Sequence, residues 1–176
     1  MNERTNRLSP WVTWDITKWN KFFDGIPLKK YNKKSSIFNQ GDASDSLYIV
    51  ASGRVRIACY TTDGAEKHLY IAEKGCLFCE NAMFSESNFS YSAVAIVDSD
   101  IYEIPKARVM EVMEKDWETT KELLTFASRK NLMFLEQITD LSFTQSVARI
   151  GKTLLDLMDQ YGVPDETGGT RIDIRF

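Results

Sequence analysis

The stretch that decides the fold is NQGDASDSLYIVASGRVRI, which runs from Asn39 to Ile57. It holds two short runs of Val, Ile, Leu and Tyr. A turn signal precedes each run, Gly41-Asp42 before the first and Ser52-Gly53 before the second. Short apolar runs bounded by glycine turns are typical of antiparallel strands. We therefore expect a strand, a glycine turn and a second strand that form a hairpin.

The same pattern extends on both sides, from Lys29 to Glu103. Turn signals recur at Asp63-Gly64, Lys74-Gly75 and Asp98-Ser99. Asp63-Gly64 favours a tight hairpin, since a type I′ turn needs positive φ at both central residues. Many short strands at even spacing predict an antiparallel barrel, roll or sandwich. The strand candidates are SIFNQ, SLYIVASG, RVRIACYTT, KHLYIAEKG, YSAVAIVDS and DIYEIP.

Residues 1–24 do not share this alternation. They contain PWVTWDITKWNKFF, in which apolar residues recur at steps of three to five. This spacing favours a short helical arm with one apolar stripe, packed against the rest of the molecule. Its large side chains are Trp11, Trp14, Trp19, Phe22 and Phe23.

After Pro105 the pattern becomes helical and stays so to about Tyr161. KARVMEVMEKD predicts a short helix, and a long helix follows from about Trp117 to Leu141. Steps of four and three along the long helix make a heptad seam, which favours pairing with a twin helix across a dimer. The seam begins at Thr120, and its predicted interface residues are Leu124, Ala127, Asn131, Phe134, Ile138 and Leu141.

The long helix also carries apolar residues off the seam, at Leu123, Phe126, Leu132 and Leu135. A helix with two apolar sides needs two partners, which we take to be the twin helix and the β-structure. The alternative is a helix buried within one monomer. A further helix, SVARIGKTLLDLMDQYG, is ended by Gly162 and Pro164. The chain then continues with TRIDIRF, whose apolar residues alternate at Ile172, Ile174 and Phe176. This alternation predicts the beginning of a strand.

Bulk properties narrow the class of protein. The net charge of −3 gives no sign of a nucleic-acid surface, and the three cysteines suit a reducing cytosol. No apolar run is long enough for a membrane span, and the N-terminus lacks a signal peptide, so we expect a cytoplasmic protein. One histidine and no nucleophile–base grouping indicate that it is not an enzyme.

These residues resemble a known family. Gly41, the apolar run at 47–49, Gly53, Gly64 and Gly75 occur in the order of the cyclic-nucleotide-binding-domain fold. VARIGKTLLDL followed by GTRIDIRF resembles the hinge and lead-in to the winged helix of CRP/FNR transcription regulators. The resemblance implies a mainly β fold with α: an antiparallel β-roll or jelly roll, a long dimerisation helix and the start of a winged-helix domain.

The resemblance divides the chain into an arm (1–24), an effector-sensing roll (25–105), helices that include the dimerisation helix (106–141) and the start of a C-terminal domain (142–176). It implies a homodimer in which effector binding shifts the dimer helix and controls DNA binding. We expect the DNA-binding winged helix to be missing from this chain. Residues 142–176 hold four basic and five acidic residues, which is not a phosphate-tracking face.

The stretch GCLFCENAMFSESNFSYSA, residues 75–93, bears on the effector. In nucleotide-binding members a glycine–glutamate pair and, about ten residues later, an arginine hold the ribose and the cyclic phosphate. Here the pair is Cys79-Glu80, and the position of the arginine falls at Ser90 or Tyr91. No lysine or arginine lies between Lys74 and Lys106. Because a buried phosphate without a cation costs several kcal/mol, we do not expect cyclic AMP.

Aromatic residues crowd this region, and an apolar pocket with few polar groups suits a small aromatic ligand. The halorespiration regulators, which sense chlorinated phenols, are similar: their loop tyrosine matches Tyr91 and a lysine on their long helix matches Lys130. Glu80 stands where that group has another lysine. The predicted ligand-binding residues are Tyr70, Cys79, Glu80, Phe89, Tyr91, Lys130 and Phe134.

Each of these residues also has a purely structural interpretation. Lys130 is then an exposed helix lysine, Glu80 an acid favoured by a helix dipole, and the aromatics ordinary core. Cys76 and Cys79 have the spacing of a metal clip or a redox pair. The CO-sensing haem regulators have a histidine at the position of Asn81, so we expect no haem or metal through these cysteines. A stand-alone redox or haem/metal sensor that acts without DNA contact remains the alternative.

Overall fold

The computed structural model describes residues 9–166 and 168–174. The chain forms two compact units. The first unit is Pro10–Ala127, and the second is Ser128–Phe176 with Met1–Ser9. The β-structure lies in the first unit, apart from one small hairpin.

Two sheets form the first unit, as expected for an antiparallel roll. Five strands form one sheet in the order β1-β6-β5-β8-β3, and four form the other in the order β2-β9-β4-β7. All pairs are antiparallel except β1 with β6. The strands are β1 Trp11–Val12, β2 Leu28–Tyr31, β3 Ser36–Phe38, β4 Ser46–Ser52, β5 Val55–Tyr60, β6 Glu66–Ala72, β7 Leu77–Phe78, β8 Ser92–Ala95 and β9 Ser99–Pro105.

The hairpin expected around Gly53 is wrong. Strands β4 and β5 flank this turn, but β4 pairs with β7 and β9 whereas β5 pairs with β6 and β8. Gly53, at φ +88°, carries the chain from one sheet to the other. A Cβ there would lie 2.2 Å from Ser99 Oγ, so only glycine fits.

The hairpin at Asp63-Gly64 is confirmed, because β5 and β6 are antiparallel neighbours. Its turn type is not the one expected. Gly64 has φ +86°, whereas Asp63 has no positive φ. The Thr61 amide donates to the Ala65 carbonyl at 3.0 Å, so the loop is longer than two residues and needs one left-handed position.

Of the predicted arm, residues 1–8 lie outside the described residues, and the rest is helical only in part. Trp11–Val12 is strand β1, paired with Ile71 and Ala72 at the end of β6. A 3-10 helix, Ile16–Trp19, and helix α1, Asn20–Phe23, follow. Asp15 caps the 3-10 helix by accepting the Thr17 amide at 3.0 Å. The helical prediction is therefore wrong for residues 11–12, where an open edge of β6 offers backbone partners.

The remaining helices follow the expected order. They are α2 Glu80–Ser85, α3 Lys106–Lys115, α4 Trp117–Phe143 and α5 Ser146–Tyr161. On α4, the seam residues Leu124, Ile138 and Leu141 are each more than half exposed. Thr120 does not share this exposure, because it is buried and its hydroxyl donates to the Met113 carbonyl at 2.9 Å. The helix thus has an exposed apolar seam, and pairing through it remains a prediction.

In the second unit, α5 leads into a small antiparallel hairpin of β10 Gly162–Pro164 and β11 Thr170–Ile172. The strand expected in TRIDIRF therefore begins as predicted, while Phe176 lies outside the described residues. One face of α5 is apolar and exposed, at Val147, Ile150, Leu154, Leu155 and Met158. Within the described part of the chain, no helix is long and apolar enough to cross a membrane.

Candidate effector site

The segment from Gly75 to Glu80 lies in the first unit and contains two of the predicted site residues, Cys79 and Glu80. Strand β7 pairs with β4 through Tyr48 and Phe78, and α2 starts two residues later. Between them Cys79 has φ +78°, in the left-handed region that glycine adopts freely. A side chain in that region costs about 1–2 kcal/mol. The backbone at this position thus has a conformation typical of glycine although the residue is cysteine.

Two tyrosines and this strained residue form a hydrogen-bonded cluster. The Cys79 backbone N–H donates to the Tyr91 hydroxyl at 2.9 Å. The Tyr91 and Tyr70 side chains are also hydrogen-bonded to each other. Both tyrosines and Glu80 are at most 6% exposed. We call Tyr70, Cys79, Glu80 and Tyr91 the phenol cluster.

The phenol cluster favours neutral phenol groups. Burial is the main cause that raises the pKa of Tyr70 well above its ordinary value, and the charges of Cys76, Glu80 and Cys79 raise it further. The hydrogen bond with Tyr91 acts in the opposite direction. Burial, with help from Glu103 and Cys79, also raises the pKa of Tyr48. Such surroundings disfavour a further negative charge that no nearby cation compensates.

A stack of aromatic rings adjoins the cluster. Phe89, a predicted site residue, stacks on Phe38 with ring centroids 3.9 Å apart. Phe38 also lies 6.0 Å from the Tyr91 ring and 5.3 Å from that of Tyr48. Sequence reasoning missed Phe38 and Tyr48. Residues 46–50 of β4 are all buried, so alternation along this strand gives no inward face to identify.

The structure buries Lys130. Its side chain is 4% exposed, so the structural alternative of an exposed helix lysine is wrong, while its role as a ligand contact stays a prediction; Phe134 is partly buried. Steps of three and four along α4 place Lys130 on the same helix face as the buried Phe126 and Met133, so its position belongs to the buried stripe. Lys130 and Phe134 belong to the second unit, whereas the other five predicted residues belong to the first.

The cysteines are all reduced. Cys76 and Cys79 are fully buried, and Cys59 is partly exposed, with burial raising its pKa. Within residues 9–166 and 168–174, no three His, Cys, Asp or Glu side chains are grouped as a metal site would need. The chemistry available at the site is therefore that of buried phenols, thiols and one carboxyl group.

Comparison with known proteins gives regulators as relatives. The chain is 28% identical over 150 residues to the cAMP-activated global transcriptional regulator Vfr of Pseudomonas aeruginosa, covering 83% of this chain and 70% of Vfr. It is 29% identical over 130 residues to the cyclic AMP receptor protein of Thermus thermophilus, covering 74% of this chain and 60% of that protein. The chain thus spans 60 to 70% of the length of these relatives.

Solved structures share the fold. The c-di-GMP-responsive regulator CLP of Xanthomonas campestris superposes with a TM-score of 0.75 at 23% identity, over 89% of this chain and 78% of CLP. CprK in complex with OCPA gives 0.72 at 17% identity, over 91% of this chain and 73% of CprK. These likenesses concern the fold alone, so the halorespiration subfamily stays a prediction.

The family itself follows from the match along the chain. Residues 28–116, from β2 through α3 to the residue before α4, match the cyclic nucleotide-binding domain. This match takes in the two-sheet roll from β2 onward and the phenol cluster. With about half of its length matched, the chain belongs to the cyclic nucleotide-binding domain family.

Proposed function

We propose that this chain is the sensing and dimerising part of an effector-responsive transcription regulator, and that its effector is a small aromatic molecule rather than cyclic AMP. The relatives, which are named as transcription regulators, support the first half. The second half depends mainly on one observation: the amide of Cys79 is hydrogen-bonded to a buried tyrosine, in a stretch without a lysine or arginine.

The argument against cyclic AMP is electrostatic. Several relatives are named for activation by this nucleotide, which carries a negative phosphate. Here the family's arginine position falls at Ser90 or Tyr91, and the Tyr91 hydroxyl accepts the Cys79 amide. A phosphate would have to displace this bond and would meet Glu80 nearby. Burying such a charge without a cation costs several kcal/mol.

The argument for an aromatic effector comes from the types of side chain around the cluster. Phe38, Phe89 and Tyr91 make these surroundings aromatic, and the tyrosine hydroxyls add a few directed hydrogen bonds. Small-molecule sites commonly combine apolar walls with few polar groups. Lys130 and Phe134 stay proposed effector contacts, because a buried lysine next to a phenol would favour the ionised phenol.

The exposed seam of α4 supports the proposed homodimer. Leu124, Ile138 and Leu141 would bury their side chains against a second copy. Effector binding that favours one arrangement of the paired helices would then change the affinity for DNA. We assign DNA contact to a C-terminal domain, as the resemblance to CRP/FNR regulators implies.

Calorimetry with the 176-residue chain tests the effector class. We expect 2,4,6-trichlorophenol to bind and cyclic AMP to bind at least about a hundredfold more weakly, because the family's arginine position holds no cation here. Lys130→Met should weaken the phenol by about tenfold. Lys121→Met, at an exposed position of the same helix, is the matched control. Tight binding of cyclic AMP would overturn the proposal, and a Soret band in the purified protein would favour the haem alternative.

A further inference from the structure

The N-terminal arm follows the end of β6 into the turn that precedes the phenol cluster. The Ile71 amide donates to the Pro10 carbonyl at 2.8 Å, and the Glu73 amide donates to that of Val12 at 2.9 Å. The Trp14 amide in turn donates to the Lys74 carbonyl at 3.2 Å. These three bonds join the backbone of the arm to the backbone of residues 71–74, which lead into the turn.

Gly75 is the point of closest approach. It has φ +81°, and a Cβ there would lie 1.9 Å from the Trp14 carbonyl oxygen. On its other side, the indole N–H of the fully buried Trp19 donates to the Gly75 carbonyl at 2.8 Å. Because both contacts are close, we expect a shift of Gly75 to require a shift of the arm. Gly75 lies four residues before Cys79, whose backbone N–H donates to the Tyr91 hydroxyl.

The same arm also contacts the first half of α4. The Trp14 indole donates to Glu122 at 3.0 Å. The rings of Trp14 and Trp19 meet the buried Phe126 edge to face, with centroids 5.1 and 5.7 Å apart. Edge-to-face pairs have a preferred geometry, so they resist sliding of one ring past the other. Trp19 therefore touches the Gly75 carbonyl with its N–H and Phe126 with its ring.

We propose that the arm, residues 10–23, couples the turn at Gly75 to α4, with Trp19 as the positioning residue that links them. This rests on the proposed function, since it says how an effector bound at the phenol cluster would act on the dimer helix. A movement of the 75–79 backbone would displace the Trp19 indole, and the indole would displace Phe126. The arm is thus part of the signalling path and not only a cover over the roll.

Thiol labelling measures the coupling without any effector. Cys76 and Cys79 are fully buried, so a reagent such as DTNB reaches them only when the 75–79 segment opens. With Cys59→Ser as background, per-residue labelling rates are measured for Trp19→Phe, Phe126→Leu and the double variant. Trp117→Phe is the matched control, because Trp117 begins α4 but is 65% exposed.

We expect Trp19→Phe to raise the labelling rate about tenfold, since it leaves the buried Gly75 carbonyl without its donor. Phe126→Leu should raise the same rate although Phe126 lies on another element. The increase in labelling rate in the double variant should be smaller than the product of the two single increases. Such non-additivity is expected when the two sites are coupled. Trp117→Phe should change the rate by less than about twofold.

Three results would overturn the coupling: a wild-type labelling rate in Phe126→Leu, effects that multiply in the double variant, or rates that simply follow the free energy of unfolding in urea. The last result would mean that the cysteines react only from the unfolded chain. Because no ligand is present, a failed coupling is distinct from a failed effector class, which the calorimetry decides.

Discussion

The left-handed backbone at Cys79 leads to different effects of glycine at two nearby cysteines. Cys79 has φ +78°, whereas Cys76 has no positive φ; both side chains are fully buried. We compare alanine with glycine at each position. In all four variants the thiol is gone, so loss of sulfur packing contributes at both positions.

The magnitude follows from three contributions. Relative to alanine, glycine makes the unfolded chain more flexible, which costs about 0.4–1 kcal/mol. It also removes one buried methyl group, worth about 0.8 kcal/mol. Both contributions act at both positions. Only at residue 79 does glycine also relieve the left-handed strain, worth about 1–2 kcal/mol. Glycine should therefore be clearly worse than alanine at residue 76 and about equal to it at residue 79.

Urea unfolding under reducing conditions measures the four free energies of unfolding. Protein concentration has to be equal throughout, because dimer formation would add to the apparent stability. The loss in the free energy of unfolding from the alanine to the glycine variant should be about 1–2 kcal/mol larger at residue 76 than at residue 79. If the two differences agree within about 0.5 kcal/mol, the left-handed conformation of Cys79 stores no strain and the reasoning fails.

Three further outcomes follow from the same contacts. Gly75→Ala should lower the free energy of unfolding by at least about 3 kcal/mol, because it adds a clash to the strain, while Gly64→Ala, whose Cβ would meet open space, should lose only about 1 kcal/mol. Stability should fall as the pH rises above about 10, because the unfolded chain loses the Tyr70 proton there and the folded chain keeps it; Tyr70→Phe should reduce that fall, seen in urea midpoints between pH 9 and 11. Leu124→Glu should weaken dimerisation by at least about a hundredfold in sedimentation equilibrium, and Leu132→Glu, also exposed but off the seam, should have a smaller effect; equal effects would place the interface elsewhere.

The roll was accessible from the sequence because its turns are chemically specific. Gly53, Gly64 and Gly75 all have positive φ, which other residues adopt only at a cost. Strand composition between these glycines predicted six of the nine strands in the first unit, β3 to β6, β8 and β9, in their observed order, and missed β1, β2 and β7. What the turns do not reveal is which sheet each strand joins. Gly53 illustrates this, since its need for glycine comes from Ser99, 46 residues later, and not from a local hairpin.

The candidate site was only partly accessible. Cys79, Glu80 and Tyr91 were predicted as site residues because their positions in the chain match a motif, and the hydrogen bond between Cys79 and Tyr91 could not be foreseen. The structural alternative took Lys130 as exposed, because an isolated lysine on a helix is usually solvated. Its spacing from Phe126 and Met133 carried the information, yet both faces of α4 are apolar, so the pattern alone did not say which face is buried.

Along one edge of strand β6, the first half is polar and the second half is covered by β1. Its first residues, Glu66, Lys67 and His68, are exposed and polar, whereas Ile71 and Ala72 near its end lie under β1. Uncovered strand edges invite pairing with other molecules, and charge or a covering segment prevents it. In a shortened protein that starts after Val12, we expect the apolar end of β6 to be uncovered and open to backbone pairing with another molecule.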